Sequence, residues 1–109
     1  MANHESISVV GRDGETHRFR TYIWGHEFES VPAVYIVAER RSRDSGVVDY
    51  QVLFVGQTDD LSTEFKTHRH HDALVARNAN MIGVLVEHDA ETRVRLAHEL
   101  SGRLLAGRE

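Results

Sequence analysis

Two short runs at the start of the chain are typical of strands joined by a tight turn. The runs cover residues 6–10 (SISVV) and 15–23 (ETHRFRTYI), and the sequence GRDG lies between them. Glycine and aspartate are favoured in hairpin turns because they adopt positive φ values more readily than other residues. We therefore expect a β-hairpin over residues 6–23.

Three later runs are apolar at successive positions, as expected of strands that are buried on both faces. They are AVYIVAE at 33–39, YQVLFVG at 50–56 and MIGVLVEH at 81–88. The polar segment RRSRDSGVV separates the first two, so we predict that these two strands pair as a hairpin. The single proline, Pro32, precedes the first run, where its missing N–H is tolerated.

Two segments carry apolar residues at helical spacing. The first covers about 59–76, and Thr58 or Asp59 is expected to cap it. Its expected stripe consists of Leu61, Phe65, His68, Asp72 and Val75. The second covers about 90–106 after the capping residue Asp89. Its expected apolar face consists of Val94, Ala97, Leu100, Leu104 and Leu105, and its expected exposed face carries Arg93, Arg95 and Arg103.

The order of predicted elements is hairpin, strand, strand, helix, strand, helix. Strands in the middle with helices against them indicate an α+β domain with a small mixed or antiparallel sheet and two flanking helices. The 109 residues fit one domain spanning 1–109. In it the N-terminal hairpin covers 6–23.

Composition excludes several classes of site. The chain has no cysteine, so disulfides, thiolate metal sites and a cysteine nucleophile are excluded. No apolar run approaches the ~20 residues needed to cross a bilayer, and the N-terminus lacks the features of a secretory signal, so a cytoplasmic protein without membrane contact is expected. The net charge of −4 disfavours strong nonspecific binding of nucleic acid, which depends on lysine and arginine.

The ends of the two hairpin strands carry a further pattern. AVY (33–35) ends with Tyr35, FVG (54–56) ends with Gly56, and the latter continues into GQTDDLSTEFKTH. This order resembles the GIY-YIG nuclease superfamily, whose first motif lies on one hairpin strand and whose second lies on its partner, followed by a helix, a strand and a helix. The resemblance covers about residues 32–105 and implies a sheet of the GIY-YIG type, with the N-terminal hairpin as an addition.

The resemblance also implies roles for single positions. Tyr35 stands for the tyrosine beside the nucleophile, and Gly56 for the glycine of the second motif. Phe54 replaces the second-motif tyrosine and lacks its hydroxyl. Counted from Gly56, the position of the phosphate-neutralising arginine holds Glu64. A carboxylate there repels phosphate and cannot replace a guanidinium.

The nearest counterpart of the family's metal-binding glutamate is Glu99. At 100° per residue it points roughly opposite the face of Val94 and Ala97. The resemblance implies Mg²⁺ or Mn²⁺ if catalysis is retained, with Tyr35, His68 and Glu99 as the residues involved. Without catalysis no cofactor is expected.

Two clusters outside the motifs have alternative interpretations. His68 and His71 share a helical face and could ligate a metal with Asp72 or Glu64. The favoured alternative packs His68 at the helix–sheet contact and leaves His70 and His71 in solvent. Arg40, Arg41 and Arg43 are expected on the loop between the motif strands, as a phosphate or acidic-partner contact or as a solvated hairpin tip. Trp24 and Phe28 are expected to cover the sheet rather than to stack on bases.

These replacements favour a catalytically degenerate GIY-YIG-like domain that acts as a binding or regulatory module for nucleic acid or protein. The alternative is a divergent metal-dependent endonuclease that cleaves phosphodiester bonds with Tyr35, His68 and Glu99. A third interpretation is a protein-binding module, as a monomer or as a homodimer formed through an exposed strand edge.

Overall fold

Five antiparallel strands form one sheet in the computed structural model, which describes residues 6–11, 14–42, 44, 46, 48–66, 68 and 70–106. The strands are β1 (Ser6–Val10), β2 (Thr16–Ile23), β3 (Ala33–Ser42), β4 (Val48–Thr58) and β5 (Met81–Val86). The helices are α1 (Leu61–Glu64), α2 (His71–Ala76) and α3 (Ala90–Ala106). The predicted α+β class is confirmed, with an antiparallel rather than a mixed sheet. None of these helices combines the length and the apolar character needed to cross a membrane.

Both predicted hairpins are confirmed by the strand register. The first pairs β1 with β2, and Gly14 in its turn has a φ of 85°. The second pairs β3 with β4. The strand order β1-β2-β5-β3-β4 places β5 between the two hairpins, so the N-terminal hairpin extends the same sheet rather than standing apart from it.

Strand β3 lies between β5 and β4 and is buried on both faces, as predicted. Alternate side chains of a strand point to opposite faces. Val34, Ile36 and Ala38 therefore enter one apolar cluster with Leu96 and Leu100 of α3. The intervening residues of β3 enter a second cluster on the other face, whose members include Ala33, Tyr35, Val37, Leu61, Leu74 and Ile82. Trp24 and Phe28 pack against this second cluster, which confirms that they cover the sheet.

The single helix predicted over 59–76 is wrong, because the segment forms two short helices with turns between them. The cap of the first helix is Asp60, whose carboxylate accepts the backbone N–H of Ser62 at 3.0 Å, rather than Thr58 or Asp59. His68 lies between the helices with its ring buried, and its Nδ1 accepts the backbone N–H of His70 at 3.1 Å. A side chain that binds a nearby backbone group in this way competes with helical hydrogen bonding.

The break changes which side chains face the core. Leu61 and His68 are buried as predicted, whereas Asp72 and Val75 are exposed. Leu74 takes the buried position on α2. The predicted stripe fails in its second half because the intervening turns reset the helical phase.

The last helix has the predicted bounds but a different buried face. Val94 is 56% exposed, whereas Arg93 and Leu96 are buried. The guanidinium of Arg93 donates to the side-chain oxygen of Gln57 at 2.9 Å and to backbone oxygens of the β5–α3 turn, so Arg93 does not lie on the exposed face as predicted. Leu100 and Ala97 pack against the core as expected. The side chains predicted at Arg103, Leu104 and Leu105 lie outside the described part of the chain.

Asp89 caps α3 as predicted, and this cap makes stability depend on pH. The hydroxyl and the backbone N–H of Thr92 donate to its carboxylate, which holds the pKa of Asp89 below the ordinary 3.8. A lowered pKa stabilises the folded state above pH 3.8, and this stabilisation is lost as the pH falls through the lowered value. We predict that Asp89→Ala lowers Tm at pH 7 by a few degrees and that its difference from wild type shrinks in acid.

This effect can be measured by thermal unfolding, followed by circular dichroism, at intervals of about one pH unit between pH 2 and pH 7. Asp89→Asn is the matched control, because asparagine keeps the capping acceptor without the titrating charge. It should retain most of the wild-type Tm at pH 7. An alanine variant as stable as wild type at pH 7 would contradict the assigned cap.

Candidate functional site

Tyr35 lies directly opposite Gly56 in the register of the β3–β4 hairpin. A Cβ atom at position 56 would stand 2.7 Å from the Tyr35 hydroxyl oxygen and 2.9 Å from the ring of Phe54. These separations are far below van der Waals contact. The phenol ring of Tyr35 therefore lies over β4 at Gly56, where β4 has no side chain to block it.

The Tyr35 hydroxyl joins two residues that follow β4 in the chain. It donates to the Glu64 Oε2 atom at 2.6 Å, and it lies 2.8 Å from the Nε2 atom of His68. Glu64 is the last residue of α1, and His68 lies in the turn after it. The Glu64 carboxylate and the His68 ring are themselves 4.0 Å apart, with the hydroxyl between them.

The direction of these hydrogen bonds follows from the backbone contact of His68. Its Nδ1 atom accepts the N–H of His70, so in a neutral ring the proton is on Nε2. Nε2–H then donates to the Tyr35 oxygen, and the Tyr35 proton is left for Glu64. The result is a directed chain from the His70 backbone through His68 and Tyr35 to the carboxylate of Glu64.

An open cleft of about 500 Å³ lies beside these hydrogen-bonded residues. It crosses β4, since it is lined by side chains from both faces of that strand. Its lining residues are Tyr35, Phe54, Val55, Gly56, Gln57, Glu64, His68, Val94 and Ala97. Because β4 is an edge strand, the cleft lies at the rim of the sheet.

The structure brings together most of the residues that the sequence singled out. Tyr35, Phe54, Gly56, Glu64 and His68 all line the cleft. The packing and hydrogen bonding predicted for His68 are confirmed, and the other two histidines are exposed as expected.

The residue proposed as a metal ligand, Glu99, is not among the residues that line the cleft. It is half-buried on α3, and its Oε1 atom is buried without a hydrogen-bond partner among the described residues. Nowhere in the described ranges do three acidic or histidine side chains gather in a way that would hold a metal ion. The residues present in the cleft therefore do not fit a site for Mg²⁺ or Mn²⁺.

The basic cluster lies elsewhere. Arg40 and Arg41 belong to β3 rather than to the loop after it, and Arg43 lies outside the described residues. Arg41 is mostly exposed and pairs with Glu39 at 3.0 Å, and the hydrogen bond from its guanidinium lowers the pKa of that carboxyl. The Arg40 backbone exchanges hydrogen bonds with the side chain of Asn80. Neither arginine lines the cleft.

The contact between Arg93 and Gln57 was not expected from the sequence. Gln57 forms part of the cleft wall, and Arg93 holds its side-chain oxygen from behind. The two residues are 36 positions apart, so no local spacing could indicate the pair. Only the packing of α3 against β4 brings them together.

Comparisons with protein-family models, with curated proteins and with solved structures find no match to this chain. The case for a function therefore rests on the residues of the cleft and on their geometry.

The close approach at Gly56 leads to a prediction about stability. Gly56→Ala should lower the free energy of unfolding by about 1–3 kcal/mol, because Tyr35 and Phe54 must move to admit a methyl group. Gly83→Ala on β5 is the matched control, since its nearest neighbour is the Cβ of Phe19 at 3.2 Å. Urea unfolding would compare the two. A smaller loss at position 56 than at position 83 would contradict the placement of Tyr35.

The directed chain predicts the tautomer of His68. We expect a neutral ring protonated on Nε2, which ¹⁵N spectra of the imidazole distinguish from the Nδ1 form. Tyr35→Phe should lower the free energy of unfolding by about 1–2 kcal/mol, because it leaves buried polar groups without their partner. It should also shift the His68 ring signals while those of the exposed His98 stay in place. A His68 ring protonated on Nδ1 would contradict the direction assigned to the hydrogen bonds between His70, His68, Tyr35 and Glu64.

Proposed function

We propose that this chain is a non-catalytic binding module with a GIY-YIG-like core, and that its cleft receives a protein partner. One observation carries the proposal. The Glu64 carboxylate stands in the cleft and accepts the proton of the Tyr35 hydroxyl at 2.6 Å, where the resemblance leads one to expect a phosphate-binding arginine. The hairpin of β3 and β4 is followed by helical segments, a strand and a last helix, although the first helix that the resemblance implies is divided into α1 and α2.

Charge argues against a phosphodiester in the cleft. Two like charges 4 Å apart repel by about 4 kcal/mol at an effective dielectric constant of 20. A backbone phosphate beside Glu64 would meet this repulsion without a cationic side chain among the described lining residues to offset it. The proton of Tyr35 is directed to the carboxylate, so the hydroxyl is not free to donate to a phosphate oxygen.

The chemistry of hydrolysis makes further demands. Phosphodiester cleavage requires an activated nucleophile and stabilisation of the developing charge, which a metal ion or a cluster of donors supplies. Phe54 brings no hydroxyl to the cleft, and its ring instead lies at 29° to that of Tyr35. These features favour binding over cleavage.

The endonuclease alternative has one observation in its favour. Tyr35 and His68 are in contact at 2.8 Å, as a catalytic pair would be. The position of Glu99 outside the cleft counts against it. We therefore retain this alternative as the second candidate.

A protein partner is favoured over nucleic acid by the net charge of −4 and by the edge of the sheet. The cleft crosses β4, whose outer side has no neighbouring strand in the described sheet. Extended segments of a partner can pair with such an edge through their backbone. A second copy of this chain is one such partner, and size-exclusion chromatography would show a homodimer.

Incubation of the pure protein with plasmid, single-stranded DNA and RNA in Mg²⁺ or Mn²⁺ tests the absence of catalysis. We expect no cleavage products. Cleavage by wild type that disappears in Tyr35→Phe would overturn the proposal and support the endonuclease alternative.

The charge argument has its own test in fluorescence anisotropy with a labelled oligonucleotide. Glu64→Arg should bind about tenfold more tightly than wild type, because it replaces a repulsion inside the cleft with a phosphate contact. Glu91→Arg makes the same change of charge at an exposed position on α3 outside the cleft and is the control. Equal gains in both variants would show that the cleft itself has no influence on phosphate binding.

A further inference from the structure

The cleft combines one carboxylate with aromatic walls. The side chain of Glu64 is 26% exposed, and the rings of Phe54 and Tyr35 lie beside it. No lysine or arginine in the described ranges lies within ion-pair distance of Glu64, whose ion-pair contact is with His68 at 4.0 Å. The Nδ1 atom of His68 accepts the backbone N–H of His70, and Glu64 is the one acidic side chain among the described lining residues.

Among the described arginines, Arg93 packs behind the cleft but does not neutralise the charge of Glu64. Arg93 is 6% exposed and does not line the cleft. Its guanidinium donates to Gln57 and to the backbone oxygens of Glu87 and His88. A ligand in the cleft therefore meets the carboxylate of Glu64 first.

We propose that the cleft binds an alkyl guanidinium, the head group of an arginine side chain on a partner protein. The inference rests on the proposed binding function and names the chemistry that the cleft recognises. A carboxylate beside aromatic faces attracts cations, through the charge and through the negative faces of the rings. A guanidinium is favoured over an ammonium because it is planar, more weakly hydrated and able to stack on a ring while it donates to a carboxylate.

The ring geometry indicates where the cation stacks. The centroids of Tyr35 and Phe54 are 6.1 Å apart, whereas a planar cation between two rings needs about 7 Å, twice a van der Waals contact. The guanidinium therefore lies against the cleft-facing surface of Phe54 rather than between the rings. From there it reaches Glu64, which also lines the cleft. The volume of about 500 Å³ is sufficient for an arginine side chain and part of its backbone.

A titration of the ¹⁵N-labelled full chain with blocked arginine, N-acetyl-arginine amide, tests the proposal. We expect the backbone amide signals of Gly56 and Gln57 to shift, with a Kd in roughly the millimolar range typical of a single weak anchor. The isosteric but uncharged N-acetyl-citrulline amide should bind about tenfold more weakly, because it lacks the charge-assisted hydrogen bond.

Variants of Glu64 and Phe54 test whether these two side chains bind the guanidinium. Glu64→Gln keeps an acceptor for Tyr35 but removes the charge, and should weaken the binding of blocked arginine about tenfold. Phe54→Leu should weaken it about threefold through loss of the stacking surface. Glu91→Gln removes a carboxylate outside the cleft and should leave the Kd unchanged. Matching circular dichroism spectra would show that each variant is folded.

Three results would overturn the proposal. The first is equal affinity for blocked arginine and blocked citrulline. The second is no shift of the Gly56 and Gln57 amide signals at blocked-arginine concentrations well above the millimolar range. The third is tighter binding of the free cation agmatine than of blocked arginine. The last would reject a protein side chain as the source of the guanidinium. None of these results bears on catalysis, whereas cleavage of nucleic acid by wild type would reject the proposed function itself.

Discussion

The hydroxyl of Tyr35 is the contact on which the rim of the sheet depends. The residue is 1% exposed, and a buried hydroxyl without partners would be strongly destabilising. Its partners, Glu64 and His68, come from a segment that would otherwise be free to continue as one helix. To reach the hydroxyl, His68 turns into the core and binds the backbone after it, and the helix is interrupted there. One buried hydroxyl therefore connects β3 to both ends of the break beside the cleft.

The parts of the fold that could be predicted depend on local pattern. The buried runs of β3 and β5, the turn at Gly14 and the cap at Asp89 are each indicated within a few residues. The run at 50–56 was also predicted to be buried on both faces, but it is half-buried because β4 is an edge strand. The interruption between α1 and α2 includes a contact of His68 with Tyr35, which lies 33 residues away on β3, so no local pattern could indicate that contact. The buried face of α3 was mispredicted for a similar reason. Arg93 is turned inward by Gln57 and by the carbonyl oxygens of the preceding turn, and Val94 is consequently turned outward.

The sequence predicted which residues line the cleft better than it predicted the hydrogen bonds between them. Tyr35 and Gly56 stand at corresponding ends of two paired strands, so their proximity follows from the hairpin. The sequence also placed Glu64 and His68 near them. It could not show that both side chains meet at one hydroxyl, because that depends on how α1 ends. The helical phase did place Glu99 away from Val94 and Ala97, and in the structure these two residues line the cleft whereas Glu99 does not.

Glu64 determines which ligands the cleft favours. The other described lining side chains are apolar or carry no formal acidic or basic charge apart from the imidazole of His68, so one carboxylate favours ligands of positive charge. The Tyr35 hydroxyl donates a hydrogen bond to this carboxylate at 2.6 Å and so fixes its position in the cleft. The carboxylate that would repel a nucleic-acid backbone is thus held in place by the tyrosine to which the resemblance assigns a catalytic role. The same geometry that disfavours a phosphate is therefore the basis on which we propose a cationic ligand.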